Sequence, residues 1–230
     1  MADGVRFEEA IDYLRRRLAV PPQRWLEIVR EIDAAARDRS AGMSDALVSD
    51  ILAEALKAIE EGTGFDDFLA GWSEATRRHG WSAGDEFETG YRARLAWRVM
   101  VGQAYAAGRW QQIQRLKRLR PFLRYVHVDP ELTQAASRHE HAAWHGIILP
   151  VDHPWWDIHY PPNGWNCRCT VMSLSERDLA RWGWQVAEAP PPDRVVIRLI
   201  GGRRLEGIAG IDAGFEYNVG KAGLALPQAA

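Results

Sequence analysis

The stretch Arg138–Thr170 constrains this chain more than any other. It reads RHEHAAWHGIILPVDHPWWDIHYPPNGWNCRCT. It holds five of the seven histidines (His139, His141, His145, His153 and His159) and both cysteines, Cys167 and Cys169. Four of the eleven tryptophans (Trp144, Trp155, Trp156 and Trp165) lie there too. Pro150, Pro154, Pro161 and Pro162 run through it. Each proline fixes φ and removes a backbone donor, so neither a long helix nor a broad sheet can traverse the stretch. The expectation is a folded loop, dense in polar ligands and aromatics, with its own local structure.

Upstream of the loop the apolar spacing is helical. Phe7–Leu18 places Phe7, Ala10, Ile11, Leu14 and Leu18 on one face, and Arg15, Arg16 and Arg17 at the end where the helix dipole favours cations. Val20-Pro21-Pro22 breaks it. Gln23–Asp38 predicts a second helix with Trp25, Ile28, Val29, Ile32 and Ala36 inward. Ser44 can cap a third, striped by Leu47, Ile51, Leu52, Ala55, Leu56 and Ile59. Thr63 with Asp66 is a start signal for a fourth, which carries Phe65, Phe68, Leu69 and Trp72. A long fifth helix is expected over Asp85–Arg120, with a break at Gly102 or Gly108 left open. Phe87, Tyr91, Leu95, Val99 and Tyr105 would face the core. Short connections favour antiparallel neighbours, so residues 1–120 are expected to form a helical bundle.

Pro121 changes the character of the chain. Leu123–Val128 alternates like a strand, and Pro130–Ala143 reads as a short helix. Thr170–Met172 suits a second strand, and Ser175 with Asp178 has the pattern of a capping box for a helix to Arg181. Ala189–Pro192 is a stiff spacer. Arg194–Ile200 and Arg203–Ile208 flank Gly201-Gly202 as a hairpin. The Gly- and Ala-rich end, Ile211–Ala230, is expected to wrap a surface or hang free. The fold class is therefore α+β, mainly α: a bundle over 1–120, then a small loop-rich α+β domain over 121–230.

Four soft ligands, His141, His145, Cys167 and Cys169, match what a closed zinc site needs. Histidines four apart on a helix share a face. The C-x-C spacing is tighter than the usual C-x-x-C, however. It favours the plainer alternative, a buried cysteine pair among tryptophans with His141 hydrogen-bonded in a turn. His139-Glu140-His141 is not H-E-x-x-H, since Ala143 stands four after His139. Arg168 between the cysteines would lower a thiol pKa, but no oxyanion motif or Gly-rich phosphate loop accompanies them, so the chain is not expected to be an enzyme. The second feature is RWQQIQRLKRLRPFLR, whose six cations, Arg109, Arg115, Lys117, Arg118, Arg120 and Arg124, have no acid among them. Such a run can hold phosphates or an acidic protein, or be a solvated helix end.

Bulk properties set the outer bounds. A net charge of -2 excludes nucleic-acid binding by bulk charge, and 47% hydrophobic residues suffice for a core. Two cysteines do not make a secreted disulfide scaffold, and a bridge between Cys167 and Cys169 would close a strained small ring. The charged N-terminal residues do not resemble a signal peptide, and no run of about 18 apolar residues could span a membrane. A soluble protein made in a reducing cytoplasm is expected.

The loop also carries a recognisable pattern: R-x-x-H-x-x-x-x-G, D-x-P-W-W and P-P-x-G-W-N-C-R-C. It falls here on Arg138, His141, Gly146, Asp152, Pro154, Trp155, Pro161, Pro162, Gly164, Asn166, Cys167, Arg168 and Cys169. In this the chain resembles the phage Mu protein F family of minor head (head-morphogenesis) proteins. Phe7–Ile11, Gly80-Trp81, Ala104–Arg109, Pro121–Tyr125 and Gly214–Gly220 extend the likeness over most of residues 5–221. Family members continue further. The resemblance implies a structural virion component that associates with the portal during procapsid assembly in the host cytoplasm and stays in the head near the portal. Major capsid or scaffold proteins and double-stranded DNA are further partners it implies, and a membrane is not. It makes the loop a rigid module, stapled by His141 and the cysteines with or without zinc, and turns the basic segment toward DNA or the portal. A toxin-like or modifying enzyme using the Cys/His module is the alternative.

Overall fold

The computed structural model describes residues 7–20, 43–82, 86–128, 139–200 and 203–227. The fold is α+β and mainly α. Helix α1 (Glu8–Leu18) buries Ala10, Ile11, Tyr13 and Leu14 along the expected face. The helix expected over Gln23–Asp38 lies outside the described residues. Helix α2 (Asp45–Glu61) starts where Ser44 Oγ accepts the Leu47 N–H at 3.2 Å and stops at Gly62 with φ +66°. Helix α3 (Phe65–Arg78) starts at Gly64 without a side-chain cap. The expected Thr63–Asp66 signal is not used, because the Thr63 hydroxyl turns back to the Ala58 carbonyl.

Helix α4 (Glu86–Leu116) runs unbroken through Gly102 and Gly108 and ends short of Arg120. Its core face differs from the expected one. Ala93, Ala104, Ala107, Trp110 and Ile113 are buried, whereas Tyr91 and Tyr105 are 53% and 48% exposed. The reason is close approach. A Cβ on Gly108 would stand 2.8 Å from the Ala10 backbone N, so α1 and α4 meet almost backbone to backbone. Small residues fill that seam and the tyrosines are displaced from it.

Strand β1 (Phe122–Val126) is the centre of an antiparallel three-stranded sheet. Strand β2 (Ile148–Pro150), which has no periodic signal in the sequence, pairs on one side with Leu123 opposite Leu149. Strand β3 (Thr170–Leu174) pairs on the other with Tyr125 opposite Val171. Helix α5 (His139–Trp144) lies between β1 and β2, and the single turn α6 (Trp156–His159) between β2 and β3. The remainder of the helix expected over Pro130–Ala143 lies outside the described residues. Helix α7 (Glu176–Trp182) has the full Ser175–Asp178 capping box. Strands β4 (Val195–Ile200) and β5 (Arg203–Ile208) form the expected hairpin.

The C-terminal segment neither hangs free nor merely wraps a surface. Ile211, Phe215, Val219 and Leu226 are buried in the main core. Asn218 caps helix α8 (Val219–Leu224) by accepting the Gly220 and Lys221 N–H groups at 2.8 and 3.0 Å. Gly220 lies so close on Trp110 that a Cβ there would overlap the ring. The buried Arg16 donates to the Gly223 and Leu226 carbonyls at 3.1 and 3.4 Å. One hydrophobic cluster thus joins α1, α4, the sheet, the loop and α8. A second, with Leu47, Ile51, Phe68, Trp72 and Ala93, joins α2, α3 and α4. No described helix is long and apolar enough to cross a membrane.

Candidate functional site

The polar centre of the molecule lies where β1 ends. Alternation buries Leu123 and Tyr125 on one face of β1, and His127 continues that face two residues on. Helix α5 supplies His141, which is fully buried. Its Nε2 contacts the Gly210 carbonyl. A carbonyl only accepts, so Nε2 carries the proton and Nδ1 keeps the lone pair. That Nδ1 lies 3.4 Å from Cys169 Sγ and 3.7 Å from Cys167 Sγ. His127 Nδ1 lies 3.4 Å from Cys169 Sγ on another side. The ligand atoms of His127, His141 and Cys169 all lie within 4.8 Å of one another. Trp144 stacks on the His141 ring at 5.0 Å and fixes its plane.

The two thiols are unlike. The Cys167 thiol bonded to it holds Cys169 far below the usual thiol pKa. Burial opposes this. The same contact, with burial, pushes Cys167 well up. The pair is thus biased, Cys169 toward the thiolate and Cys167 toward the thiol.

The signature residues build the frame around this centre. Gly146 (φ +88°) turns the chain after α5 and donates its N–H to the Tyr125 carbonyl at 2.9 Å. Pro154 precedes α6, and Trp155 stacks on His159 at 4.2 Å. Asn166 adopts φ 58°, a left-handed conformation that asparagine tolerates, just before Cys167. Asn163, the unnamed position of P-P-x-G, does the most. Fully buried, it accepts from Tyr125 OH at 2.9 Å, donates to the Ile158 carbonyl at 3.3 Å, and its own carbonyl accepts from Asp212 N. Asp152 instead reaches the surface and pairs with Lys117 at 3.0 Å. Arg138 lies outside the described residues.

His145, expected beside His141, is not in the cluster. Its Nδ1 accepts the His127 backbone N–H at 3.1 Å and its Nε2 faces Arg124 Nη2 at 3.2 Å. The His127 amide takes the one lone pair of the neutral ring and Nε2 carries the proton, so neither nitrogen is free for an ion, and burial and Arg124 lower its pKa. His127 stands where His145 was expected. Its strand parity with Leu123 and Tyr125 is the signal that identifies it.

The basic segment does not converge. Arg109 Nε donates to the Val171 carbonyl at 3.1 Å, Arg115 pairs with Glu9, and Lys117 pairs with Asp152. Arg120 binds Ser173 and Asp178, the latter at 2.8 Å, and Arg124 stacks over Trp184 at 4.4 Å. Among the described residues, only exposed Arg118 of the six has no ion pair, hydrogen bond or ring contact. A different cationic surface appears in a cleft of about 640 Å³ between α4 and the loop. Arg98, Arg109 and Arg168 line it together with Cys167, Cys169 and Tyr160, and among the described residues no carboxylate does. Burial, with repulsion from Arg168 and Arg94, lowers the pKa of Arg98.

The model of the family described as "Phage Mu protein F like protein" matches residues 49–172, a span that contains all four cluster residues. The chain belongs to this family. It is 30% identical over 192 residues to the "Putative capsid assembly protein F" of Escherichia phage Mu, covering 78% of this chain and 43% of that one. It is 29% identical over 189 residues to the "Mu-like prophage FluMu F protein" of Haemophilus influenzae, covering 72% and 45%. The chain thus spans less than half the length of these relatives. No solved structure matches it.

Proposed function

We propose that this chain is a structural head-assembly protein of a phage or prophage that docks on the portal ring during procapsid assembly. It acts in the host cytoplasm and remains in the head near the portal, where it also meets capsid or scaffold proteins. The name of the phage Mu relative supports the assembly role. The observation that carries docking is the β4–β5 hairpin. Val195, Ile197 and Leu199 form a row on one face, 65%, 50% and 76% exposed. An apolar strand face of this kind, on a two-stranded sheet with open edges, suits protein contact. Arg198 anchors the opposite face by donating to the Ile208 carbonyl across Gly207 and pairing with Glu216 at 3.1 Å, so the row is presented on a fixed support.

Co-expression with the portal protein of the same phage tests this. Wild-type chain is expected to co-purify with portal rings, and a Val195→Ser, Ile197→Ser, Leu199→Ser triple variant to lose them while keeping its melting temperature. Wild type that ignores the portal refutes the reading. Contact with packaged DNA then falls to Arg118 in the basic segment and to cleft cations Arg98, Arg109 and Arg168. Binding that weakens steeply with salt, by a slope of about -0.9 per phosphate engaged, is the expected signature.

One observation favours an enzyme instead: Cys169, its thiol pKa lowered and two histidines beside it, lines an open cleft. That reading requires Cys169 to react rapidly with an alkylating probe in the native protein.

A further inference from the structure

We propose that His127 Nδ1, His141 Nδ1, Cys167 Sγ and Cys169 Sγ form a closed structural site for a zinc-like divalent ion. The spacing of the donors is the first reason. Zinc binds imidazole nitrogen at about 2.0–2.1 Å and thiolate sulfur at about 2.3 Å, so a tetrahedron of these ligands has N–S edges of about 3.5 Å. The observed edges are 3.4 Å from His127 to Cys169, 3.4 Å from His141 to Cys169 and 3.7 Å from His141 to Cys167. Three of the donors lie within 4.8 Å of one another; Cys167 lies outside that group but within 3.7 Å of His141 Nδ1, and swings in to complete the four.

The second reason is orientation. The Gly210 carbonyl takes the His141 Nε2 proton and aims the unprotonated Nδ1 at both sulfurs. A backbone carbonyl behind a ligating imidazole is the usual outer partner of a metal-bound histidine, since it fixes both tautomer and ring angle. Trp144 stacked on one side and Tyr125 edge-on at 6.4 Å hold the ring there. Two nitrogens and two sulfurs select a borderline-soft tetrahedral ion over magnesium or calcium.

The third reason is location. The donors come from the end of β1, from α5 and from the turn into β3, and Gly210 follows β5. A filled site pins α5 and the segment after β5 to the paired ends of β1 and β3. All four coordination positions would be occupied, so the ion would be structural and leave no place for substrate. Coordination would also remove Cys169 from nucleophilic chemistry, so it excludes the enzyme reading above and leaves the portal reading untouched.

Cobalt(II), a zinc stand-in with a visible spectrum, provides the test. Purified full chain stripped with chelator and titrated with cobalt is expected to bind one ion and show tetrahedral d–d bands with sulfur-to-cobalt charge transfer. His127→Gln and Cys169→Ser are each expected to weaken binding by more than about 100-fold, beyond the 10–100-fold typical of an outer-shell change. His145→Gln should keep the spectrum. Zinc should shield both cysteines of the wild type from iodoacetamide, a readout that does not depend on how well the variants fold. Folded wild type that gives no such spectrum and no shielding overturns the site. So does loss of cobalt in His145→Gln with retention in His127→Gln.

Discussion

Two polar regions stand out in this sequence, and the fold treats them in opposite ways. From the end of β1 through the loop after residue 138, side chains spread over more than forty residues converge, His141 Nδ1 facing Cys167 and Cys169, and His127 facing Cys169. In the basic segment, six cations within sixteen residues disperse, and five of them bind groups of their own chain. Density along the sequence does not by itself make a site. Prolines, a buried asparagine and stacked rings bring the first set together. A helix end fans the second set out over α1, the loop, β3 and α7.

This contrast can be broken from its most buried part outward. Trp156→Ala removes a fully buried ring whose Nε1 donates to the Pro150 carbonyl at 3.0 Å, and a loss of about 4 kcal/mol is expected in urea melts. A loss under about 1 kcal/mol would show that the loop contributes little to the core. Asn163→Ala removes the side-chain acceptor of the Tyr125 hydroxyl and the donor to the Ile158 carbonyl. It should cost about 2–3 kcal/mol, and Tyr125→Phe in the same background should restore part of it. Arg120→Ala should cost about 1–2 kcal/mol through its Ser173 and Asp178 partners, whereas Arg118→Ala should stay within about 0.5 kcal/mol. Equal costs for the two would mean that the segment acts as a plain charged surface.

The gentlest probe is pH. Burial is the main reason that the His159 pKa is low in the fold, although Asp193 at 3.0 Å opposes it. The folded state therefore favours the neutral ring. Stability from this group is complete above the unfolded value of about 6.5 and falls as pH drops below it, by at most about 1.4 kcal/mol per unit. His145, lowered by burial and by Arg124, tilts the same way. Melts from pH 7.5 to 5.5 should thus slope downward toward acid, less steeply in His159→Gln. An unchanged slope in that variant would assign the effect to His145.

What the sequence made legible was local. Ser44 and the Ser175–Asp178 box mark the starts of α2 and α7 because a cap is written in adjacent residues. The β4–β5 pairing follows from two strand-forming runs flanking Gly201-Gly202. Long-range contact was not legible. The core side of α4 is set by how closely α1 approaches Gly108, which no periodicity within α4 reveals. The Gly- and Ala-rich tail looks loose, yet Gly220 and Gly223 are the residues that let α8 press on Trp110 and Tyr13. His127 sits fourteen residues before His141 and outside the dense stretch, so only its parity on β1 links it to the centre.

The clasp between α1 and α8, where Arg16 holds the Gly223 and Leu226 carbonyls, has a consequence for longer proteins of this architecture. Residues more than two hundred positions apart meet at one spot, so chain enters and leaves the folded unit within roughly one helix length of the same place. A unit with adjacent ends can be spliced into a host polypeptide without separating the host's own flanks.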